Sequence, residues 1–195
     1  MSRYATGTDA ALGDVYDLAA PAIHGFLVKL CRDPSLAEDL TQEVFLRIHR
    51  ARAVYRPGAP VLPWAYAIGR RLYLDVVRSR KREVSSLDDD DNGRRSDPGI
   101  ESPAFRADDL VVAQRLEHEI ERVLGSMPES RATAFRLLKQ EGLSIAEAAA
   151  VLGATESAVK LRAHRAYETL REALGAEWND SPPVETAASA ARRHP

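Results

Sequence analysis

The sequence predicts an all-α protein built from two small helical domains. Sustained apolar–polar alternation, the mark of strands, is absent, and apolar residues recur at helical steps through two long stretches. Between those stretches lie residues 84–103, VSSLDDDDNGRRSDPGIESP, which are too polar to bury a core and read as a linker. A 195-residue chain that is 45% hydrophobic has enough apolar material for two compact helical cores.

The first stretch predicts a helix from about Asp9 to Cys31, bent or broken at Pro21. A second helix is expected from about Pro34 to Arg52. There Leu36, Leu40, Val44 and Ile48 recur every fourth residue, with Ala37 and Phe45 beside them. Two caps compete for its start: Ser35 with Glu38 has capping-box spacing, and Asp33 precedes a proline. A loop, AVYRPGAPVLP, leads to a third helix from about Leu62 to Glu83. Helices resume near Ala104 and end near Trp178. The expected boundaries are a first domain over 1–83, an acidic linker over 84–112, a second domain over 113–177 and a disordered tail over 178–195.

Charge is distributed unevenly. The formal net charge is -2, yet residues 69–82 carry Arg70, Arg71, Arg78, Arg80, Lys81 and Arg82 against Asp75 alone. Residues 83–112 carry nine acids against three bases. A basic helix and an acidic linker cancel in the total but not in space. In residues 64–82, aromatic Trp64, Tyr66 and Tyr73 interleave with Arg70 and Arg71. Such a pattern suits stacking on unpaired bases beside a phosphate backbone, or else places the aromatics in the core.

The most specific segment is 143–166, LSIAEAAAVLGATESAVKLRAHRA. Ser144 and Glu147 have capping-box spacing, Gly153 suits a left-handed helix end, and a second helix starts near Thr155. Two helices joined by so short a glycine-containing turn form a helix-turn-helix. In the second helix, Val159, Ala163, Ala166 and Leu170 share a packing side. Ser157, Lys160, Leu161, His164 and Arg165 fall on the other side, and Arg162 lies nearer the packed face. A basic outward face fits a major groove, whereas an amphipathic helix in any small bundle would show the same two faces. Residues 36–50, LAEDLTQEVFLRIHR, present Asp39, Gln42, Glu43 and Leu46 as an outer stripe, either a solvated face or a partner surface.

Enzyme and metal chemistry find little support. The five histidines, His24, His49, His118, His164 and His194, lack metal-ligand spacing, and no phosphate-binding glycine loop occurs. Glu117, Glu119 and Glu121 beside His118 are expected to be solvated. No cofactor is expected. The single cysteine, Cys31, reads as a small buried hydrophobe in a reducing compartment. No apolar run predicts membrane insertion, and the N-terminal MSRYATGTDA predicts no signal peptide, so a cytoplasmic protein is expected.

The succession AEDLTQEVFLR, a loop, WAYAIGRRLYLD with a basic run, an acidic linker, GLSIAEAAAVLG and VKLRAHRA resembles the sigma-70 family of bacterial RNA polymerase sigma factors, in its extracytoplasmic-function (ECF) subfamily. The resemblance covers about residues 10–175. It implies a region 2 domain over 1–83 and a region 4 domain over 113–177. The family's DL-x-QE motif matches Asp39, Leu40, Gln42 and Glu43, which the resemblance implies dock on core RNA polymerase, and Leu46 on the same outer stripe is expected to join that contact. Tyr55, Arg56, Arg70, Arg71, Arg78, Arg80, Lys81 and Arg82 would hold minus-ten promoter DNA, with the loop Ala53 to Pro63 capturing a flipped base. Ser157, Lys160, Leu161, Arg162, His164 and Arg165 would meet the minus-35 element. An anti-sigma factor is an implied partner. The chain departs from the family pattern at Arg70-Arg71, where Arg-Asn is usual, at Leu161 and Ala163, and in the three prolines of its loop. A stand-alone helix-turn-helix regulator, or a sigma mimic that titrates an anti-sigma factor, would share parts of this pattern.

Overall fold

A computed structural model describes residues 11–56, 58–85 and 108–175. The expected helix start at Asp9, the acidic run Asp88 to Asp91, the helix end near Trp178 and the tail lie outside the described residues. Those described form helices, turns and no strand. The chain divides into two compact units, 1–98 and 99–195, and each is taken by itself below.

The first unit is a bundle of α1 (Ala11–Cys31), α2 (Pro34–Arg50) and α3 (Val61–Ser85), each packing on the other two. Its centre is Ile23, Phe26 and Leu27 from α1, Val44 and Ile48 from α2, and Tyr66 from α3, all essentially inaccessible. The rings of Phe26 and Tyr66 meet at 4.8 Å, tilted by 48°. Burying side chains of this size stabilises by about 1.5–3 kcal/mol each.

That packing bears on Pro21, where a bend or a break is expected and no break occurs. Helix α1 runs without interruption through Pro21. Proline leaves the carbonyl of Asp17 without its helical partner, a cost of about 3 kcal/mol. Both Asp17 and Pro21 face solvent, so water can take that carbonyl, while Ala19, Ala20, Ala22 and Ile23 are buried on the inner side. At the start of α2, Asp33 is the cap: its Oδ1 accepts from the backbone N–H of Leu36 at 3.1 Å. Pro34 holds the preceding residue extended, as the Asp33 angles (φ −141°, ψ 104°) show, which presents the carboxylate to the helix end.

The second unit contains α4 (Asp108–Ser126), α5 (Glu129–Phe135), a π-helical turn (Arg136–Gln140), α6 (Ile145–Leu152) and α7 (Glu156–Leu174). Helix α7 is its spine and packs on α4, α5 and α6. Ile120, Val123, Leu124, Ala132, Phe135, Ala166 and Leu170 form one buried cluster. Helix α4 begins inside the stretch 84–112 expected as linker, and α3 extends to Ser85, past the expected end at residue 83.

Candidate polymerase and nucleic-acid interfaces

Helices α6 and α7 make the helix-turn-helix, and its local chemistry is complete. The backbone N–H of Glu147 donates to Ser144 Oγ at 3.2 Å, and that of Ser144 donates to Glu147 Oε2 at 2.7 Å. Gly153 ends α6 at φ 59°, ψ 42°, a left-handed conformation that a Cβ would strain. Thr155 then caps α7, its Oγ1 accepting from the N–H of Ala158 at 3.2 Å.

Helix α7 separates its faces as its sequence predicts. Val159, Ala166 and Leu170 are fully buried, and Ala163 is half-buried beside them. Ser157, Lys160, Leu161, His164 and Arg165 are exposed, and Arg162 is half-buried at the edge. Leu161, 49% exposed, is the one large aliphatic side chain on the open arc of this helix's first half. His164 Nε2 lies 3.3 Å from Glu168 Oε1.

Helix α2 sets out its outer stripe similarly. Asp39, Gln42 and Leu46 are exposed, Leu46 by 50%, and Glu43 is half-buried. Glu43 holds Arg47 at 3.0 Å. Exposed pairs of this kind are worth about 0–1 kcal/mol, so an arriving partner can displace it at little cost. The four-residue step from Glu43 to Arg47 is what lets the two side chains meet on this face.

On α3 the expectations divide. Arg71, Arg78, Arg80, Lys81 and Arg82 are exposed, and Arg70 is half-buried. Arg78 pairs with Asp75 at 3.2 Å, and together with Lys81 and Arg82 they line one shallow depression. Tyr66 and Tyr73 are buried in the bundle, so they cannot stack on bases and the core alternative holds for both. Trp64 is half-buried against Tyr55, with ring centroids 5.6 Å apart.

Tyr55 is the clearest correction among the expected DNA contacts. It is 9% exposed, its ring is covered by Trp64, and its hydroxyl donates to the carbonyl of Ala59. The same burial raises its phenol pKa above the ordinary value. Its side chain braces the loop from inside, and Arg56 is the exposed neighbour. Glu121 is a second correction. It is not simply solvated but accepts from Arg136 and Gln140. Cys31 is half-buried rather than fully buried. Its thiol donates to Leu27 O, and burial raises its pKa.

Comparison with known proteins decides the family. Residues 15–83 match the sigma-70 region 2 model, and residues 117–170 match the sigma-70 region 4 model. The chain is 34% identical to the RNA polymerase sigma factor CarQ of Myxococcus xanthus, over 90% of its own length and 95% of that protein. The chain belongs to the sigma-70 family. The ECF RNA polymerase sigma factor SigF of Caulobacter vibrioides is 32% identical over 76% of either chain. Two solved structures show the same fold at 24% identity. They are the sigma factor RpoE in complex with the anti-sigma factor NepR from Bartonella quintana (TM-score 0.69, 84% of this chain and 96% of that one) and CnrH in complex with the cytosolic domain of CnrY (TM-score 0.61, 91% and 94%). This sigma factor is of the ECF type. It binds core RNA polymerase and directs promoter-specific transcription initiation, and it is not an enzyme. Among the described residues no helix is long and apolar enough to cross a membrane.

Proposed function

We propose that this sigma factor divides its work as follows. The outer stripe of α2, Asp39, Gln42, Glu43 and Leu46, seats on core polymerase. Arg56 and the basic side of α3, Arg70, Arg71, Arg78, Arg80, Lys81 and Arg82, hold the minus-ten strand. The exposed arc of α7 reads the minus-35 element, with Ser157, Lys160, Leu161, His164 and Arg165 towards the groove and Arg162 on a flanking phosphate. The two domains, 1–83 and 113–177, act from either end of an acidic linker over 84–112. The factor works in the cytoplasm and is held inactive by an anti-sigma factor, a reading supported by the similar sigma factor RpoE, which was solved in complex with the anti-sigma factor NepR.

The observation that carries this reading is the division of α7. Its buried residues Val159, Ala166 and Leu170 hold one side, and its cations and Leu161 lie on or beside the open arc. Long basic side chains on a helix that follows a tight turn are placed to reach phosphates and base edges together. Tyr55 is left out of the DNA-contacting set because its ring is covered. The test is transcription in vitro with core polymerase and the full chain, followed by start-site mapping. Initiation at sites that share elements about 35 and 10 positions upstream is expected. DNA binding without any core-dependent initiation would fit a stand-alone regulator, and anti-sigma binding without DNA would fit a mimic.

A further inference from the structure

Between α5 and α6 the hydrogen bonding widens. The backbone N–H of Glu141 donates to the carbonyl of Arg136, five residues back, at 2.8 Å. Single π-turns of this kind are rare and frequently mark functional sites. The extra residue in the turn brings Arg136, Leu137, Gln140 and Glu141 all inward, and each is buried.

One carboxylate on α4 fastens both ends of this turn. Arg136, its first residue, donates to Glu121 Oε2 through Nε at 3.3 Å and through a terminal nitrogen at 2.7 Å. Gln140, its last residue, donates to Glu121 Oε1 at 2.7 Å. The Arg136 side chain is 5% exposed and that of Glu121 is 24% exposed. A largely buried pair of this kind is a poor source of stability, because desolvation offsets the attraction and apolar replacements are often as stable or more so. What the clasp supplies is geometry: forked, directional bonds that allow one arrangement of the turn on α4.

The turn is where the helix-turn-helix begins. Its exit runs through Gly142 (φ 65°) and Leu143 to the Ser144 cap of α6. Helices α4 and α6 both pack on α7. A clasp between α4 and the turn therefore fixes α6 and α7 against the same support. We infer that Glu121, Arg136 and Gln140 are positioning residues for promoter reading, their clasp setting the register from which the helix-turn-helix leaves the π-turn. This rests on α7 being the minus-35 reader. None of the three touches DNA in this role.

The test uses full-length protein with core polymerase. Transcription from a matched promoter is compared with transcription from the same promoter carrying single-base changes in its minus-35 element. Glu121→Leu combined with Arg136→Met is expected to melt within a few degrees of wild type and to lose at least fivefold of that discrimination. A folded double variant with undiminished discrimination overturns the inference. If the double variant does not fold, Gln140→Met removes the outer bond alone, and discrimination should fall at least twofold at unchanged melting temperature. No change there overturns it equally. Arg165→Ala is run alongside. If it alters discrimination and the clasp variants do not, only the clasp inference fails; if none alters it, the assignment of α7 as minus-35 reader fails with it.

Discussion

Ser144 and Glu147 satisfy each other's backbone at the entrance to the helix-turn-helix, each N–H donating to the other's side chain. The helix they cap spans eight residues, Ile145–Leu152, too short to persist by its own propensity. Removing the hydroxyl with Ser144→Ala leaves the N–H of Glu147 without its cap. A loss of about 1 kcal/mol is expected in urea denaturation of the full chain. Ser144→Asp, which keeps an acceptor, should recover most of it. Equal stability for wild type and Ser144→Ala would show that packing on α7 alone sets the start of this helix.

Gly69 sits where α3 crosses the rest of its bundle. A Cβ there would lie 3.3 Å from Leu27 Cδ2 and 3.4 Å from Val44 Cγ2. Both neighbours are fully buried and have little room to move. Gly69→Ala gains helix propensity of about 1 kcal/mol, which the tight contact offsets, so the net change should be close to zero. Gly69→Val adds two further carbons to the same space and should destabilise by about 1–3 kcal/mol. Denaturation curves of both variants, with the α-helical signal of the native state as control, decide the matter. A neutral Gly69→Val would mean that α3 can shift away from α1 and α2.

Cys31 supplies a pH dependence whose sign follows from its surroundings. Burial disfavours the thiolate and raises the folded-state pKa, while the unfolded thiol ionises at about 8.5. Below that pH both states hold the proton and the contribution to stability is complete. As pH rises through the unfolded value towards the folded one, the unfolded chain sheds its proton first and stability falls. Alkylation of the native protein should therefore show a pH–rate midpoint above that of the urea-unfolded chain. Stability between pH 8 and 10 should fall more steeply for wild type than for Cys31→Ala. Coincident midpoints would remove the burial argument.

The stripe of α2 proposed to face polymerase separates folding from binding. Asp39 and Gln42 are exposed and the Glu43–Arg47 pair is partly so, hence their loss should cost the bundle little. Replacing Asp39, Gln42 and Glu43 together by Ala should leave helical content intact and weaken core polymerase binding at least tenfold, about 1.4 kcal/mol. Competition against wild-type protein for core enzyme measures this directly. Undiminished competition would move the contact to another face.

Local features were legible in the sequence because neighbouring residues determine them. The α6 cap, the Gly153 turn and the two faces of α7 are all written within a few positions of one another. Features that depend on distant partners were not. Glu121 looked solvated beside Glu117 and Glu119, because Arg136 and Gln140 lie far along the chain from it and the π-turn that swings them inward has no local signature. Tyr55 was expected among the minus-ten DNA contacts, and the cover that Trp64, on the next helix, lays over its ring has no local signature in the sequence. Pro21 looked like a bend or a break because propensity counts the lost bond, whereas the burial of Ala19, Ala20, Ala22 and Ile23 that keeps the helix unbroken is tertiary.

Arg162 and Arg165 give the sharpest test of how α7 reads DNA, since the same side-chain type occupies two positions of different exposure. Arg165 is exposed on the open arc, and Arg162 is half-buried at its edge. From the edge of the helix a guanidinium reaches the phosphates that flank a groove, and from the arc it reaches base edges. Phosphate contacts add affinity without sequence information; base contacts carry the discrimination. Arg165→Ala should therefore relax promoter choice, at about 1–3 kcal/mol if the contact is bidentate. Arg162→Ala should weaken binding about equally on all sequences and reduce the salt slope by roughly one phosphate's worth. Leu161 provides an internal control, because an apolar side chain on the arc can meet a thymine methyl yet leaves the salt slope untouched when cut to Ala. Holoenzyme binding over randomised minus-35 sequences at several salt concentrations resolves all three. If Arg165→Ala acted uniformly while Arg162→Ala shifted the preferred sequence, the helix would be turned in the groove so that its half-buried edge, rather than its open arc, faces the bases.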